Sequence, residues 1–173
     1  SDAYALEAIR IITENLPRCL EKPDDLAARG QMLLAANMAG TAFSNAMVSL
    51  NHAMAHTLGA RFGIHHGTAN AILLAEDMRY FMDVSADRFA LVARAMGLDV
   101  AGKSDEEAGN MAADRVEKLV AEIGLTDRLS DYGVTEEALA DVADMAMTDG
   151  TIIYSPKPVF EPGDIIGLLR KVL

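Results

Sequence analysis

The segment between Ser104 and Gly124 restricts the fold more than any other part of the chain. It opens with Ser104-Asp-Glu-Glu107, the pattern of a helix N-terminus, because a serine and a glutamate three residues apart can each bond the other's backbone N–H. Gly124 stands where helices commonly end. Apolar residues recur between these signals at helical spacing: Ala108, Met111, Ala112, Val116, Leu119, Val120 and Ile123. The segment therefore predicts an amphipathic helix whose charged face is solvated.

Helical spacing of apolar residues also extends over most of the remaining chain. The helices predicted from it cover residues 2–16, 26–48, 69–82, 85–96 and 163–172, with one further helix that contains histidines and another that follows Thr135. Pro17 is expected to end the first helix. The stretch from residue 149 to 162 has no helical period and is predicted to be a loop, either a cover over a site or, as we expect, a tether. No strand pattern is convincing, so we predict an all-α fold, a compact multi-helix bundle.

Composition indicates how such a bundle would pack. The chain has 173 residues, of which 51% are hydrophobic, but it has no tryptophan and only 5% aromatic residues. Its core must therefore consist of Ala, Leu, Ile, Val and Met, which favours helices that approach one another closely. The predicted helix over residues 26–48 is rich in small residues and is expected to be central, with Met32, Met38 and Met47 as core filler. The length suits a single domain covering residues 1–173.

Several functional classes conflict with the composition. A net charge of -11 makes nucleic acid or an anionic membrane surface an unsuitable partner. No apolar run approaches the roughly 18 residues of a transmembrane helix, and the acidic start Ser1-Asp2 does not resemble a signal peptide. The single cysteine, Cys19, excludes an internal disulfide and fits a reducing compartment. We therefore expect a cytoplasmic protein.

All four histidines lie between Asn51 and Asn70. His52 and His56 are four residues apart among helix formers, so both imidazoles should project from one helix face. Glycines and His65 then indicate a turn, after which Thr68 is a candidate N-cap for the next helix. His66 would lie at the N-terminal end of that helix, where its side chain can reach back toward the preceding helix.

Neutral imidazole is the commonest nitrogen ligand of divalent first-row metals, so three converging histidines could form part of a metal site. The same residues could instead cap helices or form structural hydrogen bonds. The His-x-x-x-His spacing is loose evidence, since the zinc-protease motif requires a glutamate where this chain has Ala53. Glu76 and Asp77 would suit a metal too, but we expect both to be exposed. Residue chemistry alone leaves these alternatives open.

The histidine segment resembles a family signature. It contains His52-Ala-Met-Ala-His56-Thr-Leu-Gly59, then His66-Gly67, then Ala69-Asn-Ala-Ile-Leu-Leu74. This pattern is similar to that of the C-terminal helical domain of the iron-containing, group III alcohol dehydrogenases. Flanking segments that also resemble the family are Ala5-Leu-Glu-Ala-Ile-Arg10-Ile-Ile, Ala146-Met-Thr-Asp149-Gly150 and Pro156-Lys-Pro158.

The resemblance implies roles for three histidines. His52 and His66 would be metal ligands, for Fe²⁺ or alternatively Zn²⁺. His56 would lie beside the nicotinamide of NAD or NADP and beside the substrate, as a catalytic and cofactor-binding residue that relays a proton. The implied substrate is a small alcohol or aldehyde.

The chain also departs from the family pattern. The family's other two metal ligands, an aspartate and a histidine, and its glycine-rich nucleotide-binding turns precede the part that Ser1 matches. The resemblance thus implies a C-terminal domain without its N-terminal nucleotide-binding domain, inactive in isolation. Smaller departures are Thr57 and His65 in place of proline, and Ala75-Glu-Asp77 in place of Pro-His-Val.

Two alternatives remain open at this stage. One is a non-catalytic helical module that binds metal or associates with itself as a homo-oligomer, through an apolar surface that a nucleotide domain would otherwise cover. The other is a relative of the glycerol dehydrogenases or dehydroquinate synthases, which have similar architecture.

Overall fold

A computed structural model describes all residues from 1 to 173 and confirms the all-α prediction, with no strand in the chain. Its α-helices are α1 (Asp2–Glu21), α2 (Leu26–Ala46), α3 (Leu50–Phe62), α4 (His66–Tyr80), α5 (Met82–Ala95), α6 (Asp105–Glu122), α7 (Leu139–Met147) and α8 (Pro162–Lys171). Short 3-10 helices cover Leu129–Tyr132, Glu136–Ala138 and Gly150–Tyr154. None of the helices combines the length and apolarity that a membrane crossing requires.

The residues group into two compact units. The first contains residues 1–47 and 85–124, and the second contains residues 48–84 and 125–173. The division within α5 coincides with a local break in that helix, where Ser85 has non-helical backbone angles. The single functional domain expected from the sequence stays a prediction.

In the first unit, α1 and α2 pack through small side chains. Ala28, Ala35 and Ala42 recur every seventh residue on α2 and are buried. Ala35 forms a buried cluster with Ala8 and Ile11 of α1, and methyl groups at such positions let two helix backbones come close. The expectation that Met47 is core filler is wrong, because α2 and its C-cap carry large exposed apolar side chains outside the alanine face. These include Leu26, Leu33, Leu34, Phe43 and Met47.

Two predictions about helix ends in the first unit have different outcomes. The capping box of α6 is confirmed: the Glu107 N–H donates to Ser104 Oγ at 3.1 Å, and the Ser104 N–H donates to Glu107 Oε2 at 2.8 Å. The predicted stop at Pro17 is wrong, because α1 continues to Glu21. A proline removes one helical hydrogen bond without requiring a helix to end.

The core of the second unit is built by α3, α4, α7 and α8. Helix α3 packs against α4 and α7, and α8 packs against the same two helices. Large aliphatic side chains from all four are fully buried: Leu50, Met54, Leu58, Leu73, Leu139, Val142, Ile165 and Leu169. Each helix therefore packs against two others. This packing fixes the position of the C-terminal end of α3 relative to the N-terminal end of α4.

Two expectations for α4 are wrong. The helix begins at His66 rather than after Thr68, because the His65 ring takes the N-cap role and its Nδ1 accepts the Gly67 N–H at 3.2 Å. Glu76 and Asp77 are not exposed. The Glu76 carboxylate pairs with the Lys171 ammonium at 2.8 Å, and Asp77 is only 8% exposed.

The stretch between α7 and α8 is not a loop throughout, because Gly150–Tyr154 forms a 3-10 helix that packs against α3. Its expected role as a tether stays a prediction. Lys157 anchors this stretch to the C-terminal end of α4. Its ammonium donates to the Tyr80 carbonyl oxygen at 2.8 Å and to both Asp83 carboxylate oxygens at 2.8 and 3.0 Å. The same ammonium lies 4.2 Å from the centre of the Tyr80 ring, within the range of a cation–π contact.

Candidate functional site

Three of the four histidines come together in the second unit. The ring centres of His52 and His66 are 5.2 Å apart, those of His56 and His66 are 5.5 Å apart, and those of His52 and His56 are 5.9 Å apart. His52 and His56 lie one turn apart on α3, and His66 is the first residue of α4. His65 is used as the N-cap of α4. The structure therefore gathers the three histidines that the sequence singles out and leaves His65 in a different role.

A tight turn brings His66 back toward α3. Helix α3 ends at Gly63, whose φ of 69° lies in the left-handed region that glycine adopts without strain. Ile64 is buried after this turn, and α4 starts two residues later. A Cβ atom at position 59 would lie 3.3 Å from the Ile64 carbonyl oxygen, so Gly59 also permits the chain to reverse closely. The spacing of glycines and histidines thus encodes the approach of His66 to α3.

An aspartate that sequence reasoning did not single out completes the cluster. Asp149 lies 93 residues from His56, and its Oδ2 is 2.8 Å from His56 Nδ1. Its other oxygen, Oδ1, accepts the backbone N–H and the hydroxyl of Thr151, each at 2.8 Å. Asp149 belongs to a flank that resembles the family, but nothing in its local sequence indicates a partnership with His56.

Asparagine side chains connect His66 to α3. The Asn51 amide on α3 donates to Asn70 Oδ1 at 2.8 Å. The Asn70 amide in turn donates to the His66 carbonyl oxygen at 2.9 Å and lies 3.3 Å from His66 Nε2. These bonds join the first turn of α4 to the N-terminal turn of α3, so they restrict the position of the His66 ring.

The comparisons with known proteins decide the family. The Fe-containing alcohol dehydrogenase family, C-terminal part, matches residues 1–173, which is the whole chain. The chain belongs to this family. It is 38% identical over 157 residues to 1,3-propanediol dehydrogenase of Citrobacter freundii, covering 91% of this chain and 41% of that protein. It is 40% identical over 149 residues to lactaldehyde reductase of Escherichia coli K12, covering 86% of this chain and 38% of that protein.

Solved structures give the same family. A crystal structure of 1,3-propanediol oxidoreductase superposes with a TM-score of 0.96 at 35% identity, covering 99% of this chain and 45% of that one. An alcohol dehydrogenase from Oenococcus oeni superposes with a TM-score of 0.95 at 30% identity, with the same shares. The chain thus spans less than half the length of these relatives, and it matches the C-terminal part of the iron-containing alcohol dehydrogenases.

The electrostatics of the cluster favour the neutral form of His52 and the ionised form of Asp149. Burial lowers the pKa of His52, and the neighbouring His66 and His56 lower it further, against a smaller opposing effect of Asp149. Burial opposes the ionisation of Asp149. The Thr151 N–H, His56 and the Thr151 hydroxyl outweigh that effect, so the pKa of Asp149 is lowered below its usual value. Neutral imidazole is the form that binds metals.

The donor set fits part of a metal site of the kind this family is named for. No group of three or more His, Cys, Asp or Glu side chains is arranged to hold a metal ion. His52 and His66 nevertheless present two adjacent imidazoles, a ligand type that both Fe²⁺ and Zn²⁺ accept. His56 differs from this pair because Asp149 engages its Nδ1. The chain can therefore offer two nitrogen ligands and one imidazole with a carboxylate partner.

Proposed function

We propose that this chain is the metal- and substrate-binding C-terminal part of an NAD(P)-dependent oxidoreductase that interconverts an alcohol and an aldehyde or ketone. The observation that carries the proposal is the convergence of His52, His56 and His66 from two helices, with Asp149 bonded to one of them. Relatives named propanediol dehydrogenase and lactaldehyde reductase support a small alcohol or aldehyde as the substrate class.

Each histidine has a proposed role. His52 and His66 would hold Fe²⁺, or alternatively Zn²⁺, as two of its ligands. When bound, the metal supplies a Lewis acid at the substrate oxygen, and NAD or NADP supplies the hydride chemistry. His56 would orient the substrate beside the nicotinamide and take up the hydroxyl proton, because its Nδ1 is bonded to Asp149 and its Nε2 remains for the substrate.

The remaining parts of the proposal concern what lies outside this chain. Since the chain spans about two-fifths of the curated relatives, we assign nucleotide binding and the other metal ligands to an N-terminal domain. The isolated chain should then show no turnover with NAD(P)H and a small aldehyde. Robust turnover by the purified chain would contradict the assignment of nucleotide binding to another domain.

A cytoplasmic location is also part of the proposal, because a single cysteine fits a reducing compartment.

Metal binding by the isolated chain tests the ligand assignment. The metal-free chain would be titrated anaerobically with Fe²⁺ and with Zn²⁺, alongside His52→Ala, His66→Ala and His65→Ala. If the wild type binds one ion at micromolar strength, we expect binding to be lost in the first two variants and retained in the third. If the wild type binds no ion, the site requires the ligands assigned to the N-terminal domain. His65→Ala is the matched control, because His65 neighbours the cluster in sequence but caps α4. Binding that survives both ligand substitutions would refute the assignment.

Self-association is a second candidate function, favoured by the exposed apolar side chains of α2. Leu26 is 81% exposed and Leu33 is 75% exposed, although both are large aliphatic residues. The expected result is a concentration-dependent rise in mass by light scattering, which Leu33→Lys reduces. Gln31→Lys adds the same charge at another exposed position of α2 and is the control. A chain that stays monomeric at high concentration would exclude this function.

A further inference from the structure

Asp149 is surrounded by donors on both sides of its carboxylate. Thr151 supplies two of them, its N–H and its hydroxyl, and both bond to Oδ1. The third contact joins Oδ2 to His56 Nδ1 at 2.8 Å. An ionised carboxylate can only accept hydrogen bonds, so the proton in this contact must be on the imidazole. The arrangement therefore specifies one of the two neutral forms of His56.

We propose that Asp149 is a positioning residue which, oriented by Thr151, keeps the proton of neutral His56 on Nδ1 and leaves Nε2 as the atom that accepts a proton from the substrate. Its catalytic use rests on the oxidoreductase function proposed above. A carboxylate that bonds one imidazole nitrogen fixes the tautomer, because that nitrogen must carry the proton and the other is left as an acceptor. The same hydrogen bond fixes the orientation of the ring.

The proton released by the substrate is accepted by His56 and then passes to solvent, so no further group is needed. In alcohol oxidation, the bond between the substrate oxygen and its proton breaks as a bond forms between that proton and His56 Nε2. The resulting imidazolium keeps its Nδ1–H bonded to Asp149, whose negative charge stabilises it. The His56 side chain is 41% exposed, so the proton can then pass to solvent. Reduction of an aldehyde uses the same path in reverse.

Thr151 makes the consequence of an isosteric change predictable. In Asp149→Asn, the two Thr151 donors require an acceptor, so the amide oxygen should face Thr151. The amide NH₂ then points at His56 Nδ1 and donates to it. A ring that accepts at Nδ1 must carry its proton on Nε2, so the substitution should reverse the tautomer without changing side-chain volume.

The tautomer can be measured directly in the metal-free chain. Histidine labelled with ¹⁵N would be followed by two-bond ¹H–¹⁵N correlation at a pH where imidazole is neutral, with the His56 signals assigned by their loss in His56→Gln. We expect protonated Nδ1 in the wild type and protonated Nε2 in Asp149→Asn. Asp144→Asn makes the same chemical change at an exposed site on α7 and should leave the His56 signals unchanged.

Two results would overturn the inference: protonated Nε2 at His56 in the wild type, which requires no variant to fold, or an unchanged tautomer in a folded Asp149→Asn chain. Failure of the oxidoreductase proposal is distinguishable. If the wild type carries the proton on Nδ1 but the His52 and His66 substitutions leave metal binding intact, the positioning role stands and the metal assignment fails. If metal binding behaves as expected but the proton is on Nε2, only the positioning role fails.

Discussion

Replacing Asp77 by asparagine should stabilise the chain at alkaline pH and have much less effect at acidic pH. Asp77 lies on α4, is 8% exposed, and its Oδ1 has no hydrogen-bond partner. Burial raises the pKa of Asp77 to about 7, from 3.8 for the ordinary carboxyl. Because the folded state holds this proton more tightly than the unfolded state, the free energy of unfolding falls as pH rises from about 4 to about 7.

The shift in the pKa of Asp77 sets the size of the change in unfolding free energy. Each pKa unit corresponds to about 1.4 kcal/mol, so the cost of ionising Asp77 in the folded chain reaches about 4 kcal/mol above pH 7. Asparagine cannot ionise, so the difference in unfolding free energy between variant and wild type should grow by about 3 kcal/mol between pH 4.5 and pH 8. Any constant effect of the amide on packing cancels in this comparison.

Urea unfolding followed by circular dichroism at several pH values is the assay, with agreement between two probes required before a free energy is extracted. Asp144→Asn removes the same charge from an exposed position on α7 and is the control. A ¹³C titration of the Asp77 carboxyl gives an independent reading. The reasoning is refuted if the difference in unfolding free energy between Asp77→Asn and wild type does not change with pH, or if the Asp77 carboxyl titrates like a solvated aspartate.

Three further substitutions test the packing. Ser104→Ala should lower the unfolding free energy by about 1 kcal/mol, since the Glu107 N–H loses its cap, and Ser104→Asp should restore most of it in the same urea assay. Ala35→Leu should cost about 1–3 kcal/mol, because the closely packed α1–α2 contact has no room for a larger side chain; an unchanged melting temperature would contradict that packing. Lys157→Met should speed amide hydrogen exchange in the 3-10 helix that follows Asp149, because it removes the anchor to α4. Lys103→Met is the control, and equal exchange rates in the two variants would argue against the anchoring role of Lys157.

Much of the fold was predictable because the signals are local. The capping box at Ser104 and the left-handed glycines after α3 and α6 act through residues within one or two turns, so they can be read directly. His52 and His56 share a face for the same reason. The errors at Pro17 and Thr68 concern helix ends, where a proline is tolerated and where His65 competes for the cap.

The sequence by itself determined the helical class, most helix positions and the gathering of three histidines, because periodicity, caps and a short turn join residues that are near in the chain. Only the tertiary structure decided that Asp149 reaches His56 across 93 residues, that Asp77 is buried, and that α2 buries one alanine face. Those outcomes depend on which helix faces meet and at what distance. Such packing is a property of the whole chain, and no local pattern around Asp149 or Asp77 encodes it.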